Sequence, residues 1–252
     1  MSLLTICQNA LLNVGVEDTP TLTAVFGNSQ PAAKRLLQMA QRAGESLALR
    51  ANWSALVTED VFTALGQTQF TLPVDFRSMV NDTLWDRSRF WQLRGAMSPQ
   101  QWQLYKSSII GNATIEQRWR IRIPSGSLAG AATQFTIDPV IGPTDNSTFV
   151  YEYVSKNWCV SASGIPQSKW QADSDVSLLD ENLLELGVIW RTMRRLGLSY
   201  EEEREEYERE VDKAVARDGG TATLSLVRNP WLRFIGPNNV QEGSFPGFGP
   251  GS

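Results

Sequence analysis

Pairs of carboxylates are the first residues in this sequence that could do chemistry. Asp173 and Asp175 are separated by one residue, and Asp180 is followed directly by Glu181. Two acids that flank a glycosidic bond can supply the general acid and the base or nucleophile of a glycosidase. Acids at such spacing also accept backbone hydrogen bonds in turns and at helix N-termini, and we favour that role here.

The composition restricts other catalytic and cofactor chemistry. The 252 residues include no histidine, which removes the usual general base near neutral pH and the commonest metal ligand. The two cysteines, Cys7 and Cys159, lie far apart in apolar stretches, and we expect both to be buried, reduced thiols. Neither GxGxxG nor a GxxxxGKS or GxxxxGKT loop occurs. We therefore expect no catalytic residue, no cofactor and no bound metal.

An alternating stripe of arginines could bind a partner. Arg118, Arg120 and Arg122 alternate along a predicted strand, so they project from one face. The opposite face carries Trp119, Ile121 and Ile123. The stripe is either the exposed side of a half-buried sheet or a charge contact with an acidic neighbouring subunit.

Two further charge groups lie in predicted helices near the end of the folded part. Arg191, Arg194 and Arg195 could bind phosphate, although arginines near a helix C-terminus are also ordinary partners of the helix dipole. Residues 201–210 interleave acids with arginines at the spacing of intrahelical ion pairs, which is typical of a solvated helix face rather than a metal cluster.

The overall charge and hydropathy favour a soluble protein made in a reducing cytoplasm. The net charge is −4 and the pI is about 5.1, so contact with DNA would have to be local. The opening MSLLTICQNALLNVG has no basic region before its apolar run, and no stretch is long enough for a membrane helix. Nine tryptophans are many for one core, and tryptophan is favoured at protein interfaces.

The hydrophobic period changes twice along the chain and predicts its organisation. Helical spacing predicts four main helices, over residues 2–14, 30–51, 178–196 and 200–217. Between them, short runs bounded by turn residues predict six strands, over 55–63, 68–72, 83–94, 114–123, 133–137 and 148–154. Capping signals are expected at four serines, namely Ser29, Ser98 with Gln101, Ser177 with Asp180, and Ser199 with Glu202.

The predicted fold class is α+β, with a helical bundle built from both chain ends and an inserted antiparallel β-rich domain, sandwich-like or barrel-like. The bundle is expected to comprise residues 1–53 and 165–218, the β-rich domain residues 54–164, and an extended C-terminal tail residues 219–252. The tail is too rich in glycine and proline to fold alone, yet it carries six apolar anchors, Leu224, Leu226, Trp231, Phe234, Phe245 and Phe248.

Four stretches resemble a known family. They are the opening MSLLTICQNALLNVG, then FTLPVDFRSMV (70–80), WQLRGAMSPQQW (91–102) and FVYEYVSKNWC (149–159). In these stretches and in layout, through about Arg217, the chain resembles the head-to-tail adaptor proteins of tailed double-stranded DNA phages. The resemblance is strongest to the tail-tubular or gatekeeper subunits of short-tailed phages.

The resemblance implies a structural virion protein of the neck or tail. Such proteins form a homo-oligomeric ring of about twelve copies, which connects the portal protein to a downstream tail or nozzle protein. The DNA passes through without specific binding, and the C-terminal tail with its six anchors docks onto the portal. Two alternatives remain at this point, a virion-associated glycosidase that degrades the cell wall and a monomeric binding module.

Overall fold

Five α-helices and eleven β-strands make up the part of the chain that the computed structural model describes, residues 1–15, 22–107, 117–122, 134–139 and 147–219. The helices are α1 (Leu3–Val14), α2 (Pro31–Ala48), α3 (Pro99–Ser107), α4 (Glu181–Leu196) and α5 (Glu201–Asp218). Helices and antiparallel sheets together confirm the predicted α+β class.

The strands form three antiparallel sheets. In chain order they are β1 (Val57–Ala64), β2 (Gln69–Thr71), β3 (Phe76–Met79), β4 (Trp85–Asp86), β5 (Trp91–Gln92), β6 (Arg118–Arg122), β7 (Gln134–Asp138), β8 (Ser147–Ser155), β9 (Cys159–Val160), β10 (Pro166–Gln167) and β11 (Val176–Ser177). The main sheet has the order β1-β8-β4-β5, with β3 also paired to β8. The two smaller sheets have the orders β2-β7-β6 and β10-β9-β11.

Strand β8 is the centre of the main sheet. Its whole length pairs with β1, from Val57 opposite Val154 to Ala64 opposite Ser147. Its other edge pairs with β3 and β4, so nearly every one of its residues is buried. This burial explains why the strand reads as an almost continuous run of apolar residues rather than as a clean alternation.

The helix boundaries correct three of the four expected caps. Only Ser98 caps as expected: its hydroxyl accepts from the Gln101 amide at 3.2 Å, and the Gln101 side chain accepts from the Ser98 amide at 3.0 Å. Helix α2 begins after Gln30 instead of being capped by Ser29, because Pro31 at its first position already supplies helical φ. Helix α5 begins after Tyr200 without a side-chain cap, so the expected role of Ser199 is also wrong.

The expected start of α4 at Ser177 is wrong for a nonlocal reason. Ser177 lies in β11, opposite Cys159 of β9, and the helix begins four residues later. Asp180 is its N-cap and accepts a hydrogen bond from the Asn182 amide at 2.9 Å. Gly197 ends the helix in the left-handed conformation, with φ of 77°.

The strand predictions were right in position but too long in one place. The run predicted over 83–94 is divided into β4 and β5 by a turn in which Phe90 has a positive φ of 59°. Strand β3 and the three short strands between 159 and 177 were missed, because two to four residues carry no readable period. Parts of the strands predicted over 114–123 and 133–137 lie outside the described residues.

Two hydrophobic clusters form the core of the described residues. One combines the inner faces of α1, α2, α4 and α5, and the other is an aromatic cluster of the β-sheets that includes Phe135, Phe149 and Tyr151. Both clusters contain residues of β8, with Val154 in the first and Tyr153 in the second. The proposed domain limits at 54 and 164 therefore stay a prediction.

A close contact joins the helices to the segment after β8. The fully buried ring of Trp158 packs against the backbone of α2 at Gly44, where a Cβ atom would lie only 2.2 Å from the ring. The Trp158 indole nitrogen donates to the Ser168 carbonyl at 2.9 Å, and its ring packs edge-on against Trp170. Glycine at position 44 is therefore required by this packing.

We expect Gly44→Ala to destabilise the protein by about 1–3 kcal/mol, because the added methyl group would force the Trp158 ring out of its position. This cost would exceed the gain of about 1 kcal/mol that alanine normally brings to a helix interior. Denaturant unfolding measures the change.

Gly187→Ala in α4 is the matched control. Its new Cβ would meet its nearest neighbours at 3.2–3.3 Å, a much smaller overlap. Equal stability changes for the two variants would show that Trp158 does not depend on this close approach.

Candidate functional site

The paired carboxylates bind backbone amides. The Asp173 side chain accepts from the amides of Val25 and Phe26 at 3.0 and 2.8 Å, which fixes the segment before α2. The Asp175 side chain is only 1% exposed and accepts from the amides of Gln171 and Ala172 at 2.6 and 2.8 Å. These contacts match the role in turns that we favoured from the sequence. Both carboxylates of the possible glycosidase pair accept hydrogen bonds from backbone amides.

The second pair of acids, Asp180 and Glu181, also makes structural contacts. Asp180 caps α4, and Glu181 forms an ion pair with the amino group of Met1. Both groups serve the helix N-terminus, where negative charge complements the helix dipole.

Both cysteines are free and buried, as the sequence predicts. Burial, with a smaller contribution from Asp173, raises the pKa of the Cys7 thiol to about 12. Burial and Asp175 raise the pKa of Cys159 to about 12 in the same way. A thiol that stays protonated at neutral pH is a poor nucleophile, so these residues are core residues.

The arginine stripe on β6 is divided by helix α3. The guanidinium of Arg118 lies 4.7 Å from the ring centroid of Tyr105, and that of Arg120 lies 4.6 Å from that of Trp102. Burial lowers the pKa of Arg120, and the neighbouring charge of Arg122 acts in the same direction. Two of the three arginines therefore hold α3 on the sheet by cation–π stacking, and neither alternative from the sequence included this contact.

The outer end of the same strand is open. Arg122 is exposed, and Ile121, expected on the buried face, is 36% exposed. Trp119 on that face is deeply buried, and its indole nitrogen donates to the Leu93 carbonyl at 3.3 Å. An intersubunit charge contact by this stripe stays a proposal, and Arg122 is its best-placed member.

A groove rich in arginine lies between α2 and α4. It has a volume of about 390 Å³ and no acidic residue in its lining. We call it the arginine groove, and it is lined by Arg35, Gln38, Met39, Arg42, Trp190, Arg191, Arg194 and Arg195. Within the described part of the chain, none of its five arginines forms an ion pair.

Arg191 is the fixed member of this groove. Its guanidinium stacks on Trp190 at 4.3 Å from the ring centroid and donates to the Gly187 carbonyl at 2.8 Å. Burial lowers its pKa; Tyr207 opposes this effect, and the charges of Arg42 and Arg50 add a smaller contribution in the same direction as burial. The other four arginines are exposed, so the groove presents positive charge to solvent.

A smaller apolar pocket of about 170 Å³ adjoins the groove and shares three lining residues with it, Arg35, Met39 and Arg195. Its further lining is mostly aliphatic and comes from α1, α2 and α4, namely Leu11, Ala32, Leu36, Thr192 and Leu196. The two together make a continuous surface that is cationic at one end and apolar at the other.

The sequence singled out only half of this site. Arg191, Arg194 and Arg195 were recognised as a basic cluster, but their partners Arg35 and Arg42 on α2 were missed. The signal was present, because positions seven apart lie on one helix face. The packing of α2 on α4 decides that this face meets the arginines of α4.

The acidic helix α5 has a paired part and an unpaired part. Glu208 pairs with Arg50, and Glu210 pairs with Lys213 at 2.7 Å. The acids of the first turns have no ion-pair partner among the described residues, and they are Glu201, Glu202, Glu203, Glu205 and Glu206. Among the described residues, no acid of 201–210 forms an ion pair with Arg204 or Arg209, so the prediction of such pairs is wrong. Most of these acids are exposed, which agrees with the predicted solvated helix face.

Other site types find no support within the ranges described. No group of three His, Cys, Asp or Glu side chains there is placed to hold a metal ion. Over the same ranges, each helix is too short or too polar to cross a membrane. The six apolar residues of the predicted docking tail, and their expected contact with the portal, lie outside the described residues.

Comparison with known proteins places the chain in a family. The profile of the SU10 adaptor protein family matches residues 1–232, which is nearly the whole chain. The chain belongs to the SU10 adaptor protein family. No curated protein matches it. The family consists of phage structural adaptors rather than enzymes, which makes the chain a structural component of a virion.

We expect Asp175→Ala to lower the free energy of unfolding by about 1–3 kcal/mol, because the amides of Gln171 and Ala172 would lose the buried carboxylate that accepts their hydrogen bonds. Asp175→Asn keeps one acceptor oxygen and should cost less. Asp212→Ala, on the exposed face of α5, is the control and should change stability by less than about 0.5 kcal/mol. Thermal unfolding followed by circular dichroism would refute this role if all three variants melted together.

We expect Arg120→Gln to destabilise the protein by about 0.5–1 kcal/mol through loss of its stacking on Trp102. Arg122→Gln on the same strand is exposed and should be nearly neutral. Urea unfolding of the two variants side by side measures the difference. A larger loss for Arg122→Gln would contradict the division of the stripe.

Proposed function

We propose that this chain is the head-to-tail adaptor of a short-tailed phage, a homo-oligomeric ring that connects the portal to the tail and forms part of the DNA conduit. The observation that carries the proposal is the match of the SU10 adaptor protein family over residues 1–232. An adaptor acts by binding other subunits, and it therefore needs surfaces rather than a catalytic cleft.

The candidate catalytic groups support a structural role. Asp173, Asp175 and Asp180 accept backbone hydrogen bonds, and both cysteines are buried in the helical core. A catalytic acid must reach its substrate and titrate near the working pH. Residues held in this way serve the fold instead.

The exposed aromatic residues favour assembly. Phe90 and Trp91, at the turn between β4 and β5, are 61% and 49% exposed. Large aromatic side chains are enriched at the centres of protein interfaces, and a lone subunit gains nothing by leaving them in water. This turn is a suitable contact for a neighbouring subunit or for the downstream tail protein.

The charge suits a conduit through which DNA moves. With a net charge of −4, the chain as a whole does not attract phosphate, and like charges weaken a grip on the duplex. DNA can then pass without specific binding.

The C-terminal tail is the proposed link to the portal. A segment that combines many glycines and prolines with spaced apolar anchors suits a groove on a partner. Each anchor buried there would contribute about 1.5–3 kcal/mol before ordering costs, which consume much of the gain. Attachment then depends on several anchors per chain and on many tails per ring.

We expect a chain truncated after Gly219 to keep its fold but to lose binding to purified portal. The cut preserves Asp218, whose side chain accepts from the amide and hydroxyl of Ser54 at 2.8 and 2.6 Å. Circular dichroism reports the fold, and co-sedimentation with portal reports the binding.

A full-length variant in which the six anchors are replaced by serine is the matched control, because it keeps the length of the tail. It should bind as poorly as the truncated chain, and Trp231→Ala alone should lose a large part of the affinity. Unchanged portal binding by the truncated chain would contradict this role of the tail.

A further inference from the structure

The arginine groove and the apolar pocket beside it define the chemistry of what can bind there. Five guanidiniums without ion pairs among the described residues favour an anionic partner, and bidentate carboxylates match their geometry. The adjoining aliphatic pocket requires an apolar side chain close to those acids. A polypeptide segment with acids beside a leucine or similar residue meets both requirements.

A nucleic-acid backbone meets only one of them. Phosphates would satisfy the guanidiniums, but the strand has no aliphatic group for the pocket lined by Leu11, Leu36 and Leu196. Acidic peptide is therefore the better occupant, and DNA is an outcome that the experiment below must separate.

The same chain carries such a segment. Residues 198–206 begin with Leu198, which is 43% exposed, and continue into the unpaired acids at the start of α5. These acids differ from Glu208 and Glu210 of the same helix, which have intrachain partners. Unpaired arginines and unpaired glutamates of similar number thus occupy two surfaces of one net-acidic molecule.

The two surfaces do not satisfy each other within one copy. Although few residues separate Arg195 from Glu201, no ion pair links the groove to the first turns of α5 in the described part of the chain. Both remain open for a second copy.

We propose that the arginine groove of one copy binds residues 198–206 of a neighbouring copy. Groove and segment are different surfaces, so the contact is heterologous, and repeated contacts of this kind close into a ring when the rotation between copies allows it. The inference rests on the proposed ring function and names the charges that join its subunits. It also makes assembly sensitive to salt, since the four outer arginines are exposed.

A charge-exchange experiment tests the contact. The groove variant is Arg35→Glu/Arg195→Glu, two exposed residues that line both cavities. The segment variant is Glu202→Arg/Glu205→Arg. The matched control, Lys34→Glu/Lys169→Glu, reverses two exposed lysines outside both linings.

Native mass spectrometry and mass photometry over a concentration series measure the assembly of each full-length chain. We expect the wild type and the lysine control to oligomerise, while each arginine or glutamate variant alone needs at least about tenfold higher concentration. An equal mixture of the groove and segment variants should assemble again. In that mixture each reversed groove meets a reversed segment, and each native groove meets a native segment.

The failures of the two proposals are distinguishable. A wild type that stays monomeric, alone and with portal, overturns the ring and this contact together. Variants that assemble like the wild type overturn the contact alone.

Two further readouts complete the test. Loss of binding to a short DNA duplex by the groove variant, with its assembly unchanged, also overturns the contact and assigns the groove to phosphate. Circular dichroism shows whether the charge reversals unfold the chain. If they do, the neutral variant Arg35→Gln/Arg195→Gln replaces them in the assembly measurement. Normal assembly of this folded variant would overturn the contact, and weakened assembly would support it.

Discussion

The packing of Trp158 against Gly44 is the contact on which the helical part of the structure depends. The absence of a side chain at Gly44 lets the indole lie directly on α2, and the carbonyl of Trp158 then accepts from the Leu178 amide at 3.0 Å. This pairing leads the chain into α4. A second glycine, Gly187, lets α4 approach Ala43 of α2. The arginine groove lies between these two helices.

The distribution of charge decides which groups of this scaffold remain available to a partner. Asp173 and Asp175, which are possible catalytic acids by sequence, accept hydrogen bonds from backbone amides and so stabilise the fold. The charges left without partners in the described residues are on surfaces, with arginines in the groove and glutamates at the start of α5. A monomer gains little from such an arrangement, since exposed charges are well solvated by water. A member of the SU10 adaptor family that assembles through complementary surfaces can use it.

Local signals in the sequence were sufficient for the main helices and for the Ser98–Gln101 capping box, because spacing and capping are properties of neighbouring residues. They failed where the decisive partner is distant in the chain. Ser177 looks like a helix cap but pairs with Cys159, and Arg118 and Arg120 look solvent-facing but lie against the rings of α3. For the same reason, the sequence predicted only the α4 side of the arginine groove. Its α4 arginines form a visible cluster, whereas Arg35 and Arg42 join them only through helix packing.

Electron microscopy of the full-length chain, alone and mixed with purified portal, tests whether the chain forms a ring. We expect particles with a central hole in which identical copies are related by rotation, with residues 198–206 of each copy against the arginine groove of the next. Compact monomers under every condition, including excess portal, would contradict the assignment of this chain as a ring-forming adaptor.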